Sequence, residues 1–115
     1  MRCASVLTVV TLGLGCAGDS SRDLSTLFDV MEKSISELGA ALKSGQVTSR
    51  DLVAGYLARI EAFDRRGPSL NAIVAINPAA METAAALDAE RALGNVRGSL
   101  HGIPVLIKDN YDTVD

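Results

Sequence analysis

Apolar residues recur every third or fourth position through most of the chain, then crowd into two short continuous runs. In residues 22–34, Leu24, Leu27, Phe28 and Met31 fall at helical spacing. Ser34 and Glu37 make an S-x-x-E capping box, and the short helix it opens carries Ile35, Leu38 and Leu42 on one side until Gly45. Thr48, with Asp51 three residues on, opens the next helix. Its stripe is broad: Leu52, Val53, Tyr56, Leu57, Ile60 and Phe63, ended by "RRGP" at 65–68. The run "LNAIVAI" at 70–76 is β-branched and unbroken, as in a strand covered on both faces. Asn77 and Pro78 predict a helix start, and the alanine-rich segment to Leu93 has high helix propensity, with Gly94 stopping it. A glycine-bearing loop leads to a second predicted strand at 103–108.

Strand, helix, strand predicts a βαβ unit with a right-handed crossover, hence an α/β fold with a sheet covered by helices. Two strands do not make such a sheet, so both runs require neighbours from outside these residues. Met31 and Met81 sit at helical spacing as packing residues.

Composition narrows the class. Hydrophobic residues make up 48% of 115 and charged ones 22%, a globular balance. The net charge is −3 with no basic stripe, so nucleic acid is not an expected partner. The N-terminus departs from this pattern. Arg2, the apolar run "VLTVVTLGL" at 6–14, then Gly15, Cys16, Ala17 and Gly18 follow the order of an export signal. The run is shorter than the roughly 20 residues that span a bilayer. Two readings stand side by side: cleavage after Ala17, giving a freely secreted or periplasmic protein, or a lipoprotein box "LGLGC" with lipid, and thus a membrane anchor, on Cys16. The latter has Gly13 where leucine is usual. Cys3 and Cys16, the two cysteines, both lie in this segment and define no disulfide framework.

Lys108 is the residue with the most chemistry to offer. Strand alternation puts it on one face with Leu106, opposite Val105 and Ile107. A lysine among apolar groups is disfavoured in its charged form and, once neutral, acts as a general base. The alternative from spacing alone is a solvated lysine at a strand end, paired with Asp109. Gly94, Gly98 and Gly102 lack the G-K-S/T of a phosphate loop. One histidine and two cysteines in the leader make no metal site, and no cofactor is expected.

The stretch "GSLHGIPVLIKDN" at 98–110 resembles the lysine-bearing motif of the amidase signature family. So do "SGQVTSRDLVAGYLARIEAFD" at 44–64, "LNAIVAIN" at 70–77 and "AAALDAERALG" at 84–94; the likeness covers residues 34–113. Ser99 stands where proline is usual. The resemblance implies an amide hydrolase with a Ser–cisSer–Lys triad, an acyl-enzyme mechanism, and a small-molecule or peptide amide as substrate. Lys108 matches the triad lysine. His101, in the preceding loop, is implied as an orienting residue, and Asp109 and Asn110 as supports of Lys108. The family's two serines lie beyond the lysine motif, and these residues hold no serine after Ser99. The expected organisation is an export signal at 1–17, a helical segment at 18–33 and the N-terminal part of an amidase domain at 34–115. On this reading the chain is a fragment, inactive alone. Two other readings remain: the glutaminase subunit of a tRNA-dependent amidotransferase, which shares the motif but is not exported, and a non-catalytic relic.

Overall fold

A computed structural model describes residues 28–111. The expected export segment at 1–17 and the first part of the predicted helix at 22–34 lie outside them. Three α-helices organise what is described: α1, Ile35–Ser44; α2, Ser49–Arg59; and α3, Ala80–Ala92. No described helix is long and apolar enough to cross a membrane.

The predicted helix at 22–34 is not helical over 28–34. Asp29 Oδ1 accepts the Met31 N–H at 2.9 Å, a turn bond that competes with the helical one. Glu32 then takes a left-handed φ of 52° and Ser34 is extended, so no helix continues through the segment. Val30 is buried here, and one of its methyls lies 3.3 Å from where a Cβ on Gly55 would stand. Met31 is not a packing residue: it is 53% exposed, whereas Met81 is half-buried.

α1 begins and ends where its caps place it. Ser34 Oγ accepts from Glu37 N at 3.2 Å, and Ser34 N donates to Glu37 Oε2 at 2.8 Å, closing the capping box. The Ser34 backbone N–H, and next its hydroxyl, favour the Glu37 carboxylate and hold its pKa below the ordinary value, with Lys33 adding to the effect. At the other end Gly45 adopts φ 74°, and the Gln46 N–H reaches Ala41 O at 3.0 Å. Leu38, Ala41 and Leu42 face the core, whereas Ile35 is exposed.

α2 has the same kind of N-cap: Thr48 Oγ1 accepts from Asp51 N at 3.1 Å, while Thr48 N donates to Asp51 Oδ2. Leu52 is fully buried and, with Val30, Leu38, Ala41, Leu42 and Val47, makes the core; Phe28, Tyr56 and Ile103 pack against it. The α2 stripe fades with distance from this cluster, and Phe63 is exposed, with the Arg59 guanidinium 5.3 Å above its ring centroid. The helix widens into a π-helical turn, Ile60–Arg65, in which Arg66 N bonds to Glu61 O. Gly67, at φ 52°, lets the chain turn back.

Neither predicted strand is present as a strand among the described residues. Residues 70–73 are instead stitched to the π turn. Buried Asp64 accepts from Ala72 N at 2.6 Å and Ile73 N at 3.3 Å, and Arg65 donates to Ile73 O at 2.7 Å. Beyond this stitch Val74 and Ile76 are exposed, as are Val105, Leu106 and Ile107 in the second run. A strand exists only through a ladder, and these two runs do not pair with each other. The α half of the predicted α/β pattern is therefore formed here and the sheet is not.

α3 starts slightly later than Asn77 and Pro78 imply. Asn77 Oδ1 takes the Ala79 N–H at 2.8 Å in a turn that contains Pro78, and the helix begins at Ala80. Its main tie to α2 is polar. Asp88 accepts from Ser49 N at 2.7 Å and from Arg50 N at 3.1 Å, so a carboxylate from one helix covers the positive end of another.

Two outcomes follow for hydrogen exchange read by NMR or mass spectrometry. Asp88→Ala removes two charge-assisted bonds from the first turn of α2, where Ser49 is buried, so protection of the Ser49 and Arg50 amides should fall about 10-fold or more, while that of α1 stays unchanged. Because the Glu37 pKa is lowered on folding, its capping bonds add stability above the ordinary carboxylate pKa. That stability is lost as pH falls through the lowered value. Protection in the first turn of α1 should therefore collapse on acidification below pH ~4, and a Glu37→Gln chain should not show that step.

Candidate active-site loop

The loop from Val96 to Ile103 connects α3 to the lysine-bearing run, and its conformation is set by four held points. His101 is the first. Its ring is buried, and the Arg97 N–H donates to Nδ1 at 3.2 Å while Nε2 lies 2.9 Å from Leu87 O. A nitrogen that accepts carries no proton, and a nitrogen facing a carbonyl must donate. The network therefore assigns the neutral Nε2–H tautomer. Both ring nitrogens are occupied in binding backbone.

Arg97 is the second point. Its guanidinium forms a bidentate pair with Glu90 on α3, with Nε 2.7 Å from Oε2 and Nη2 on Oε1. The Arg97 hydrogen bond, ahead of the charge itself, keeps the Glu90 pKa below the ordinary value, and the same bond raises that of Arg97. Arg91 is the third: its Nη2 donates to the His101 carbonyl at 2.7 Å. The fourth is Gly102, buried with φ 81°. A Cβ there would overlap Ser49 Oγ and stand 3.1 Å from Ser49 Cβ and 3.7 Å from Arg91 Nη2. The residue must be glycine on two counts, its dihedral and its neighbour. An open cavity of about 460 Å³ lies over the loop, lined by Leu87, Arg97, Leu100, His101 and Ile103 among others.

Lys108, Asp109 and Asn110 lie beyond this anchorage in an exposed turn closed by Tyr111 N to Lys108 O at 3.1 Å. Among the described residues no ion pair joins Lys108 to Asp109, and the apolar surroundings that would favour a neutral lysine are not in place. His101 and Lys108 thus differ in setting as well as place. One is built into the scaffold, and the other stands at the free end of the run that leaves it. No cluster of potential metal ligands occurs among the described residues.

Sequence reasoning singled out Lys108, His101, Asp109 and Asn110 as candidates and passed over Ser49, Asp88 and Arg91, which hold the loop and α2 together. The signal for the last two was weak but present. Asp88 and Arg91 are three apart in an otherwise alanine-rich helix, so they share a face.

This loop and its flanking helices match known amide-cleaving proteins. The profile of the Amidase family matches residues 51–115, more than half of the chain. A protein of Schizosaccharomyces pombe assigned as an amidase is 40% identical over 84 residues, which is 73% of this chain and 14% of that protein. A glutamyl-tRNA(Gln) amidotransferase subunit from a Synechococcus species is 41% identical over 86 residues, 74% of this chain and 17% of that protein. The crystal structure of native peptide amidase from Stenotrophomonas maltophilia superposes with a TM-score of 0.71 at 44% identity, covering 72% of this chain and 17% of that enzyme. The chain belongs to the amidase signature family. It spans less than a fifth of the length of these relatives.

The geometry separates two glycines that share a left-handed φ. Gly94, at φ 82°, has nothing within 4 Å of a built Cβ, whereas Gly102 meets Ser49. Gly94→Ala should carry only the dihedral cost of about 1–2 kcal/mol. Gly102→Ala should add steric displacement of α2 from the loop, seen as large NMR shift changes at Ser49, Arg50 and Ile103. Equal perturbation by the two substitutions would refute the close contact.

Proposed function

We propose that the chain supplies the base and its supporting loop to an amide hydrolase that works through a Ser–cisSer–Lys triad. The observation that carries this reading is the lysine motif at 98–110, whose first part is a loop held at His101 and Gly102 and tied to α3 by Arg91, in a chain 44% identical over 72% of its length to a peptide amidase. Amide hydrolysis needs a nucleophile stronger than water and a group that relays its proton. In this reading neutral Lys108 accepts a proton, through a bridging serine, from the nucleophilic serine. That serine attacks the amide carbonyl. Backbone N–H groups hold the tetrahedral oxyanion, the amine or ammonia departs with a proton, and water releases the acid from the acyl-enzyme. The 115 residues contain no serine after Lys108; in this reading they provide the base, and the nucleophile comes from the rest of the amidase domain. The two exposed apolar runs at 70–76 and 103–108 become strands when the remaining amidase sheet packs beside them.

His101 acts as an orienting residue, since both its nitrogens already bind backbone. Asp109 and Asn110 support the turn at Lys108. The substrate is an amide of small-molecule or peptide type, and no metal or cofactor takes part. The segment at 1–17 directs export, with cleavage after Ala17 or lipid on Cys16 as its two forms. The likeness to a glutamyl-tRNA(Gln) amidotransferase subunit favours a second reading, the glutaminase component of a tRNA-dependent enzyme. The export-like segment weighs against it.

The decisive test uses the full-length protein and an amide substrate. Lys108→Ala should lower kcat by about 10²–10⁴-fold or more with an unchanged circular dichroism spectrum. Lys108→Arg should fail similarly, because a guanidinium stays protonated and cannot accept the proton. His101→Ala should cost much less. Full activity in Lys108→Ala, or a greater loss in His101→Ala, overturns the assignment of the base.

A further inference from the structure

We propose that Arg91 is a positioning residue for Lys108, acting through the carbonyl of His101; the inference rests on Lys108 being the base. Three elements meet at one place in this fold. The first turn of α2 is gripped by Asp88, one turn before Arg91 on the same helix. Arg91 extends from the last turn of α3 to the His101 carbonyl at 2.7 Å. The next residue, Gly102, turns through φ 81° against the fully buried Ser49 side chain. The direction in which residues 103–108 leave is therefore fixed at the Arg91 contact, with Ile103 packing against the core as a second hold.

The leverage is large. Lys108 lies seven positions beyond His101, a span of up to about 25 Å if extended. A swing of a few degrees at the root moves the far end by about 1–2 Å, and a displacement near 1 Å can cost roughly 100-fold in rate. Arginine suits the task because its planar fork on a long stem reaches a carbonyl at a fixed angle. Without it a half-buried carbonyl loses its donor.

The test is a double-mutant cycle in the full-length protein, with amide hydrolysis and circular dichroism as readouts. Arg91→Ala should lower kcat by about 10–100-fold with KM within about twofold, and Arg91→Lys should restore part of the loss. Introduced into Lys108→Ala, Arg91→Ala should cost nothing further, because a group that acts only through Lys108 has nothing left to position. An Arg91→Ala loss of equal size in both backgrounds, a change confined to KM, or no loss at all overturns the inference while leaving the base assignment intact. Should Arg91→Ala fail to fold, Arg91→Lys carries the same cycle with the same outcomes. Full activity in Lys108→Ala overturns the base assignment, and this inference with it.

Discussion

A single carboxylate at the junction of two helices determines how the described structure is assembled. The first turn of a helix presents four N–H groups without helical partners, and α2 presents them where Ser49 is fully buried, away from water. Asp88 takes those of Ser49 and Arg50, Thr48 Oγ1 takes that of Asp51, and Asp51 Oδ2 takes that of Thr48 at 3.1 Å. The carboxylate also lies at the positive end of the α2 dipole, where negative charge is favoured. Because two of the four partners come from α3, satisfying the end of one helix fixes the position of another.

That dependence explains how α3 can be held with so little apolar burial. Ala84 is its one fully buried side chain, and alanine buries little area. Small residues let the helix approach closely, and directed bonds then set its register: Asp88 to α2, Glu90 to Arg97, and Arg91 to His101. All three residues lie in the second half of α3, so the helix acts as a bracket between α2 and the loop that precedes Lys108. Ser49 Oγ and Arg91 Nε are buried at this junction without hydrogen-bond partners in the described structure. Close packing against Gly102 accounts for the first of these, because the glycine leaves just enough space for the serine side chain and brings no partner of its own.

What could be read from the sequence follows from the range of each interaction. The two capping boxes, Ser34 with Glu37 and Thr48 with Asp51, act over three residues, and both form where the sequence places them. Gly45 ends α1 for an equally local reason, and the lysine motif at 98–110 identifies the family to which the chain belongs. The bracket was not legible, because Asp88 and Ser49 are 39 residues apart and no local pattern pairs them. The predicted helix at 22–34 fails over 28–34 because periodicity does not register competing turn bonds such as Asp29 to Met31. The strands are not formed among the described residues for a different reason. Their apolar composition specifies burial on both faces, but burial needs partners, and pairing is a property of the sheet rather than of one run.

The exposed run at 103–108 links the fold requirement to the chemical one. Val105, Leu106 and Ile107 are 65%, 78% and 58% exposed, a contiguous apolar surface that ends at an exposed lysine. For a lysine to act as a base it must be available in its neutral form, and desolvation favours that form. Under the proposed function, the layer that covers these three side chains also removes water from around Lys108. Completing the sheet and activating the base are then one event. In the strand expected from the sequence, Lys108 shares the face of Leu106 and follows Ile107 directly, so apolar cover on either face of the run would reach the lysine or its neighbour.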